Sequence, residues 1–387
     1  MAIQILHCYK SFMPDVVGGI AESIATVTSG QDTSLNHTIL VSRPGGFGRD
    51  FLYNGIPVRA VTSLGTIASS PIAPTYPLAL AWRARSVDLI VHHSPSPLTD
   101  LGVLLGIPRK TALIVHWHAD LMLSAIAKLG IKPLLRHSLK RADRIIIPHE
   151  SVMHSSSYLQ GFSEKCVVIP YGVDFRYWAN LSAVEEEKVV ELRRAHPRLI
   201  VTTGRLVPYK GHAVLLSALQ QLDATLCIIG TGILAAQLQQ RVQELRLGTR
   251  VTLAGRQTRQ QMKIYLHAAR VFAFPSLTSA ESFGIAQVEA MAAGLPIVNT
   301  ALRTAVPHVA RHELEGLTVP PGDAVALASA LNRLLDNREL AERYGRAAQD
   351  RAKHHYDSAS VVSRTEQLYE ETVKQRTTTG RGSSVIS

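Results

Sequence analysis

Short apolar runs alternate with longer, helix-like stretches along most of this chain. Residues 3–8, 36–41, 56–61, 87–92 and 111–115 read as buried strands, and 145–147 and 166–169 continue the series. A second series starts at 199–203 and runs through 226–229, 251–254, 271–274 and 297–298. Strands that alternate with helices and read as unbroken apolar runs predict parallel sheets covered on both faces. Two such series in 387 residues predict two α/β domains. Residues 63–78, rich in Ser, Pro and Thr, read as a long loop. Gly130 and Pro133 predict that residues 121–144 form two short helices. Residues 375–387 are small and polar for most of their length and read as a disordered tail.

The stretch from Pro275 to Pro296 carries the densest chemistry. Glu281 and Glu289 stand eight positions apart, with Phe283, Gly284 and Ile285 where an alanine-rich helix begins. Gly294 and Pro296 stop that helix. Unpaired N–H groups at its start favour a phosphate, and Gly284 lets a ligand approach the main chain. A carboxylate beside a phosphate suits sugar hydroxyls instead, so Glu281 fits a hexose and Glu289 a further diol such as a ribose. The same spacing also suits two solvated glutamates on a helix.

Other turns carry chemistry at strand ends. Gly18 and Gly19 follow the first strand. His116, Trp117, His118 and Asp120 follow a strand expected to end near Val115. His92 and His93 read as packing or surface histidines at a strand end. Gly204, Arg205, Lys210 and Gly211 follow the strand 199–203, and Gly230, Thr231 and Gly232 the strand after it. Arg205 and Lys210 suit a leaving diphosphate, where charge builds as a sugar bond breaks. By position, Arg256 or Gln257 suits a contact with a nucleotide base.

Composition narrows the partners. The formal charge is +11, which favours phosphorylated substrates or anionic lipid. No zinc-finger spacing, aromatic RNA-binding signature or Lys/Arg block supports nucleic acid. Residues 109–144 hold eight Lys/Arg against two Asp/Glu. Lys128, Lys132, Arg136 and Lys140 recur every fourth position there, which suits either an anionic membrane surface or a solvated helix face. Cys8, Cys166 and Cys227 lie far apart and read as reduced thiols. No signal-like or membrane-spanning apolar run is seen, so a cytoplasmic protein, peripheral on the membrane at most, is expected.

The run Glu281-Ser-Phe-Gly-Ile-Ala-Gln-Val-Glu289, followed by Ala-Met-Ala-Ala-Gly-Leu-Pro, resembles the E-x7-E signature of retaining glycosyltransferases with the GT-B fold, and of family 4 in particular. Other elements similar to that family occur in order: P-x-x-x-G-G at Pro14–Gly19, W-H-x-D at Trp117–Asp120, I-P-x-G-V-D at Ile169–Asp174, G-R-x-x-x-x-K-G at Gly204–Gly211 and G-L-x-V-P-P-x-D at Gly316–Asp323. Thr231 and Ile233 depart from the family's G-x-G-P element, and Arg303-Thr304 stands near its usual glycine pair.

The resemblance implies two Rossmann-like domains facing a cleft. These are an acceptor-binding domain over 1–178 and a nucleotide-sugar-binding domain over 179–355. A helix over 356–374 is expected to cross back to the first domain. It implies catalytic roles for His118, as a contact of the transferred sugar near the reacting carbon, and for Arg205, Lys210 and Glu281. Donor contacts are implied for Gly18, Gly19, Gly204, Gly232, Arg256, Ser282, Phe283, Gly284, Ile285 and Glu289. It also implies retained configuration, no metal or other cofactor, and a lipid-linked or polysaccharide acceptor. GDP-mannose is the first expectation for the donor, followed by UDP-glucose or UDP-N-acetylglucosamine; an inactive nucleotide-sugar binder is the alternative of a different class.

Overall fold

The computed structural model describes every residue except 1, 17, 31, 68–69, 121–124 and 383–387, and the side chains of 125–129 and 379–382 are also outside the description. The chain divides into two compact units: Met1–Tyr171 together with Ala359–Ser387, and Gly172–Ser358.

The first unit is built on β1 (Ile3–Cys8), β2 (Leu35–Ser42), β3 (Arg49–Tyr53), β4 (Ile56–Val61), β5 (Thr66–Ile67), β6 (Ser70–Pro71), β7 (Leu89–Ser94), β8 (Ala112–Trp117), β9 (Arg144–Ile147) and β10 (Cys166–Val168). Its main sheet has the order β10-β9-β8-β7-β1-β2-β4-β3. Only the β3–β4 pair in that sheet is antiparallel. Burial on both faces explains the unbroken apolar runs: every residue of β7 and of β8 is buried.

The second unit is a six-stranded sheet of β11 (Leu199–Thr203), β12 (Thr225–Ile229), β13 (Val251–Gly255), β14 (Val271–Phe274), β15 (Ile297–Thr300) and β16 (Gly316–Val319). Its order is β13-β12-β11-β14-β15-β16, parallel throughout. The strand order reverses between β11 and β14, where the carboxyl ends open a crevice in doubly wound sheets.

Five expectations change. Strands β7 and β8 run two residues past their expected ends at His92 and Val115, so His93, His116 and Trp117 join His92 within the sheet. Residues 63–78 include the β5–β6 hairpin and the start of the helix Tyr76–Arg83. Helix Ala125–Arg141 continues through Pro133, with Leu135 and Leu139 buried on its inner face, so the ring's lost hydrogen bond does not divide it. The units part at 171/172 rather than after 178. The Val173 N–H donates to the carbonyl of Tyr356, the Ser358 N–H to that of Val173, and Trp178 is buried. The helix Ser358–Gly382 takes in residues 375–382, expected to be disordered. There Arg376 donates to Asp143 (2.9 Å) and to the Arg109 carbonyl (2.8 Å). Val361, Leu368 and Tyr369 of this helix join the core of the first unit with Ile5, Leu89 and Ile114. Among the described residues, no helix is long and apolar enough to cross a membrane.

Candidate functional site

In the second unit, two loops meet at the reversal of strand order. Strand β11 ends at Thr203, and Gly204 takes a φ of +147°, a conformation that side chains resist. The chain then passes Arg205, makes one tight turn over Pro208–Lys210 and enters a helix at His212 through Gly211. A Cβ on Gly211 would overlap the carbonyl of Pro275, so glycine is what lets this turn lie against the loop after β14. The Leu277 N–H donates to the Tyr209 carbonyl at 2.7 Å and ties the two loops together.

That contact brings Lys210 to Glu281, at 2.5 Å between Nζ and Oε2. Both side chains are largely covered, at 13% and 11% exposure. The Lys210 ammonium lies 5.0 Å from the centre of the Phe274 ring, and the Ser276 hydroxyl donates to Glu281 at 3.3 Å. Arg205 is exposed and donates to the Tyr209 hydroxyl at 3.0 Å. The helix Ile285–Ala292 begins at Gly284, with φ +84° and no side-chain cap. A Cβ at Gly284 would crowd the Phe274 ring at 2.7 Å. Gln287 and Asn299 fix this helix from below. Gln287 donates to the carbonyls of Phe283 (2.8 Å) and Val306 (3.2 Å), and Asn299 to those of Val306 (3.2 Å) and Ala310 (2.9 Å).

The expected catalytic and donor-binding residues of this unit divide by what surrounds them. Arg205, Lys210, Glu281, Gly204 and Gly284 gather at the crevice. The side chain of Phe283 is core, edge-on to Tyr356 at 5.8 Å, so only its main chain remains for a ligand. Ser282 accepts from the Ala305 N–H, and Ile285 and Glu289 are half-buried. A Cβ on Gly232 would collide with the backbone of Leu206, so this glycine serves loop packing. Arg256 is exposed after β13.

In the first unit, Gly18 precedes the helix Gly19–Thr28 without a side-chain cap, and an added methyl there would meet open space. The protein itself does not demand that glycine. His118 follows β8 directly, its N–H donating to the Ser94 carbonyl at 2.9 Å. It is 1% exposed. Its Nε2 lies 2.9 Å from His93 Nδ1, and its Nδ1 lies 2.5 Å from the Tyr171 hydroxyl. The expected sugar contact thus has both ring nitrogens engaged within the protein.

His118 belongs to a group of buried histidines, of which the reading along the chain took His92 and His93 as packing or surface groups and passed over His7 and His37. Alternation along the strands puts His7, His37, His93 and His116 on one face of the sheet. Burial pushes His37 down to about 4, and His92 and His116 down to about 3. His7, His93 and His118 are pushed well below the usual histidine range, by burial first and by their histidine neighbours second. The aliphatic rows that contain them were the visible signal: each strand keeps its apolar alternation with histidine standing in for a hydrophobe. His92 and Asp100 are fully buried at 3.6 Å, and burial raises the Asp100 carboxyl to about 7.

His93, His116 and His118 hold ring nitrogens within 4.8 Å of one another, a spacing that admits a shared divalent ion. Their rings are close to parallel, at 17° to 34°. His93 and His118 also face each other across a hydrogen bond. In-plane lone pairs on such rings run side by side rather than toward one point, so the arrangement fits a tetrahedral ligand set poorly.

Solved structures share this architecture. That of Anabaena HepE in complex with UDP aligns with a TM-score of 0.77 at 20% identity, covering 96% of this chain and all of that one. The fold is therefore GT-B, with two Rossmann-like domains. The family model described as "Glycosyltransferase Family 4" matches residues 17–177, and that described as "Glycosyl transferases group 1" matches 183–351. Relatives include D-rhamnosyltransferase WbpZ of Pseudomonas aeruginosa, 29% identical over 90% of this chain and 91% of its own. O-antigen chain mannosyltransferase C of Escherichia coli is 25% identical over 95% and 98%. The putative colanic acid biosynthesis glycosyltransferase WcaL of Escherichia coli is 32% identical over 72% and 69%. The chain belongs to this glycosyltransferase family.

Proposed function

We propose that the enzyme transfers a manno-configured hexose from a GDP-sugar, with retained configuration, to a lipid-linked or polysaccharide acceptor. The observation that carries the reading is the Lys210–Glu281 pair, set beside Arg205 and the uncapped helix start at Gly284. A diphosphate reaching this point meets two cations and the positive end of a helix. Its charge competes with Glu281 for Lys210, and a displaced Glu281 carboxylate is then free to accept sugar hydroxyls. The bond from the anomeric carbon to the phosphate breaks as the bond to the acceptor oxygen forms on the same face. The acceptor's proton passes to the departing phosphate, so position and charge stabilisation are the protein's contribution. Neither step calls for a metal.

Two relatives support the manno configuration, because rhamnose is 6-deoxymannose and the other is a mannosyltransferase. A UDP-sugar is the second reading, favoured by the UDP bound to the similar fold of HepE. The polysaccharide acceptor rests on the O-antigen and colanic acid relatives.

A cytoplasmic site of action at an anionic membrane surface completes the reading. Lys132, Arg136 and Lys140 are exposed along one continuous helix, while Lys128 has its side chain outside the described residues. The neighbouring helix Pro97–Gly106 exposes Leu104 and Leu105, and the helix packed on it exposes Leu78 and Trp82. Apolar and basic groups side by side suit a lipid surface.

Thermal unfolding with nucleotides and nucleotide sugars tests the donor. GDP and GDP-mannose at a hundredfold excess over Kd are expected to stabilise by about 2.7 kcal/mol, with no shift from UDP compounds. A shift with UDP compounds alone would transfer the assignment to the second reading.

A further inference from the structure

Five side chains form one continuous line of hydrogen bonds across the first unit. His37 Nδ1 lies 3.0 Å from His7 Nε2, and His7 Nδ1 lies 3.1 Å from His93 Nε2. His93 Nδ1 then meets His118 Nε2 at 2.9 Å, and His118 Nδ1 meets the Tyr171 hydroxyl. Strand register produces the line. His7 pairs with Ile39 and Val91, so His37 sits two residues back on one neighbouring strand and His93 two residues ahead on the other. Tyr369 of the returning helix closes over it, 6.0 Å from the His7 ring. His37, at the outer end, is 5% exposed, and His7 and His93 are fully buried.

A neutral imidazole has one donor and one acceptor nitrogen. Rings linked nitrogen to nitrogen must therefore all share one sense. Either every ring carries its proton on Nε2 and Tyr171 donates to His118, or every ring carries it on Nδ1 and His118 donates to Tyr171. A change of tautomer at any one ring would set two donors or two lone pairs against each other, so His118 is tied to the sense of His93 and His7.

We propose that His7 and His93 are positioning residues that hold His118 in one ring orientation and one tautomer, shared along the line. This deepens the glycosyltransferase reading, and it rests on the assignment of His118 as a sugar contact.

The test is a long-range proton–nitrogen correlation spectrum of the full chain labelled with ¹⁵N-histidine, paired with kinetics of two variants. His7, His93 and His118 are expected to show one tautomer each, the same for all three. Different tautomers in the three rings, or a mixture in any of them, overturn the proposal. So does a one-to-one change of the His93, His116 and His118 signals on adding zinc chloride, which would mark a metal site. In His93→Phe the His118 signal is expected to become a mixture. Its kcat should drop about tenfold, the rate equivalent of one lost hydrogen bond, with donor KM unchanged. His93→Gln, which both donates and accepts, should recover most of the rate. A folded His93→Phe with unaltered His118 tautomer and kcat also overturns the proposal. Should the unmodified enzyme transfer no sugar at all, the glycosyltransferase reading fails, while the spectrum still decides the histidine line.

Discussion

The two units place polar groups on their parallel sheets in opposite ways. The second unit uses charge. Lys210 and Glu281 neutralise each other where the two loops meet, largely covered, and Arg205 stays exposed beside them. The first unit uses neutral rings. Its histidines are stripped of water, held uncharged by burial and satisfied in large part by one another. An ion pair at a crevice can be opened by a competing phosphate at small cost. A buried neutral line cannot be charged without losing its hydrogen bonds, and this suits it to fix geometry rather than to exchange ions. The difference teaches that one sheet architecture supports both an electrostatic clamp and a rigid orienting frame.

Acid gives the largest expected effect and the sharpest test of this contrast. His7, His37, His92, His93, His116 and His118 all have folded values below the unfolded one near 6.5, reaching about 4 for His37 and about 3 for His92 and His116. Below pH 6.5 the unfolded chain takes up protons that the folded chain refuses, so stability falls as pH falls. Each such group contributes up to about 1.4 kcal/mol per pH unit. Asp100, raised to about 7, works in the opposite sense and offsets one of them between about pH 4 and 7. Hydrogen exchange from pH 7 to 5 should show β1, β7 and β8 losing protection before β11 and β14. The second unit's shifted histidines, His212, His267, His308 and His355, are fewer and less buried. Equal loss in both units would erase the contrast.

Lys210→Ala comes next. It should lower kcat by about 10²–10³, as removal of a preorganised charge does. Its melting midpoint should stay within a few degrees of the parent's, because the clamp serves charge and not packing. An unfolded Lys210→Ala would place this residue with the frame instead.

Gly211→Ala tests how the clamp is assembled. A methyl there must move the Pro275 carbonyl and also sits at a φ of +72°, so a loss of about 3 kcal/mol is expected in denaturant unfolding. His116→Leu is the smallest change and has the opposite sign. Both ring nitrogens of His116 are buried with no hydrogen-bond partner among the described residues, and the ring contacts its neighbours by its faces and edges, His118 at 4.2 Å, His93 at 5.3 Å and Tyr171 at 6.0 Å. Replacing it with an apolar side chain should raise stability by about 1 kcal/mol, visible as a higher melting midpoint. A lower midpoint would mean that His116 is hydrogen-bonded after all.

The sequence by itself determined the elements whose physics is local. Unbroken apolar runs specified parallel, two-sided strands, and glycines before helices specified the turns. The span from Glu281 to Glu289 lies in a single loop and helix start, and that from Gly204 to Gly211 in another, so each was legible as a contiguous motif. Tertiary structure decided what depends on register and packing. It joined Lys210 to Glu281, which lie 71 positions apart in the sequence. It kept helix Ala125–Arg141 whole through Pro133, because its buried inner face outweighs one missing hydrogen bond. It moved residues 172–178 to the second unit through the bonds of Val173, and it anchored residues 375–376 on the first. Above all it aligned His37, His7, His93 and His118 from three strands and a loop. No single stretch of sequence marks that line, because its spacing exists only across neighbouring strands, where a shift of one residue would turn each ring to the other face.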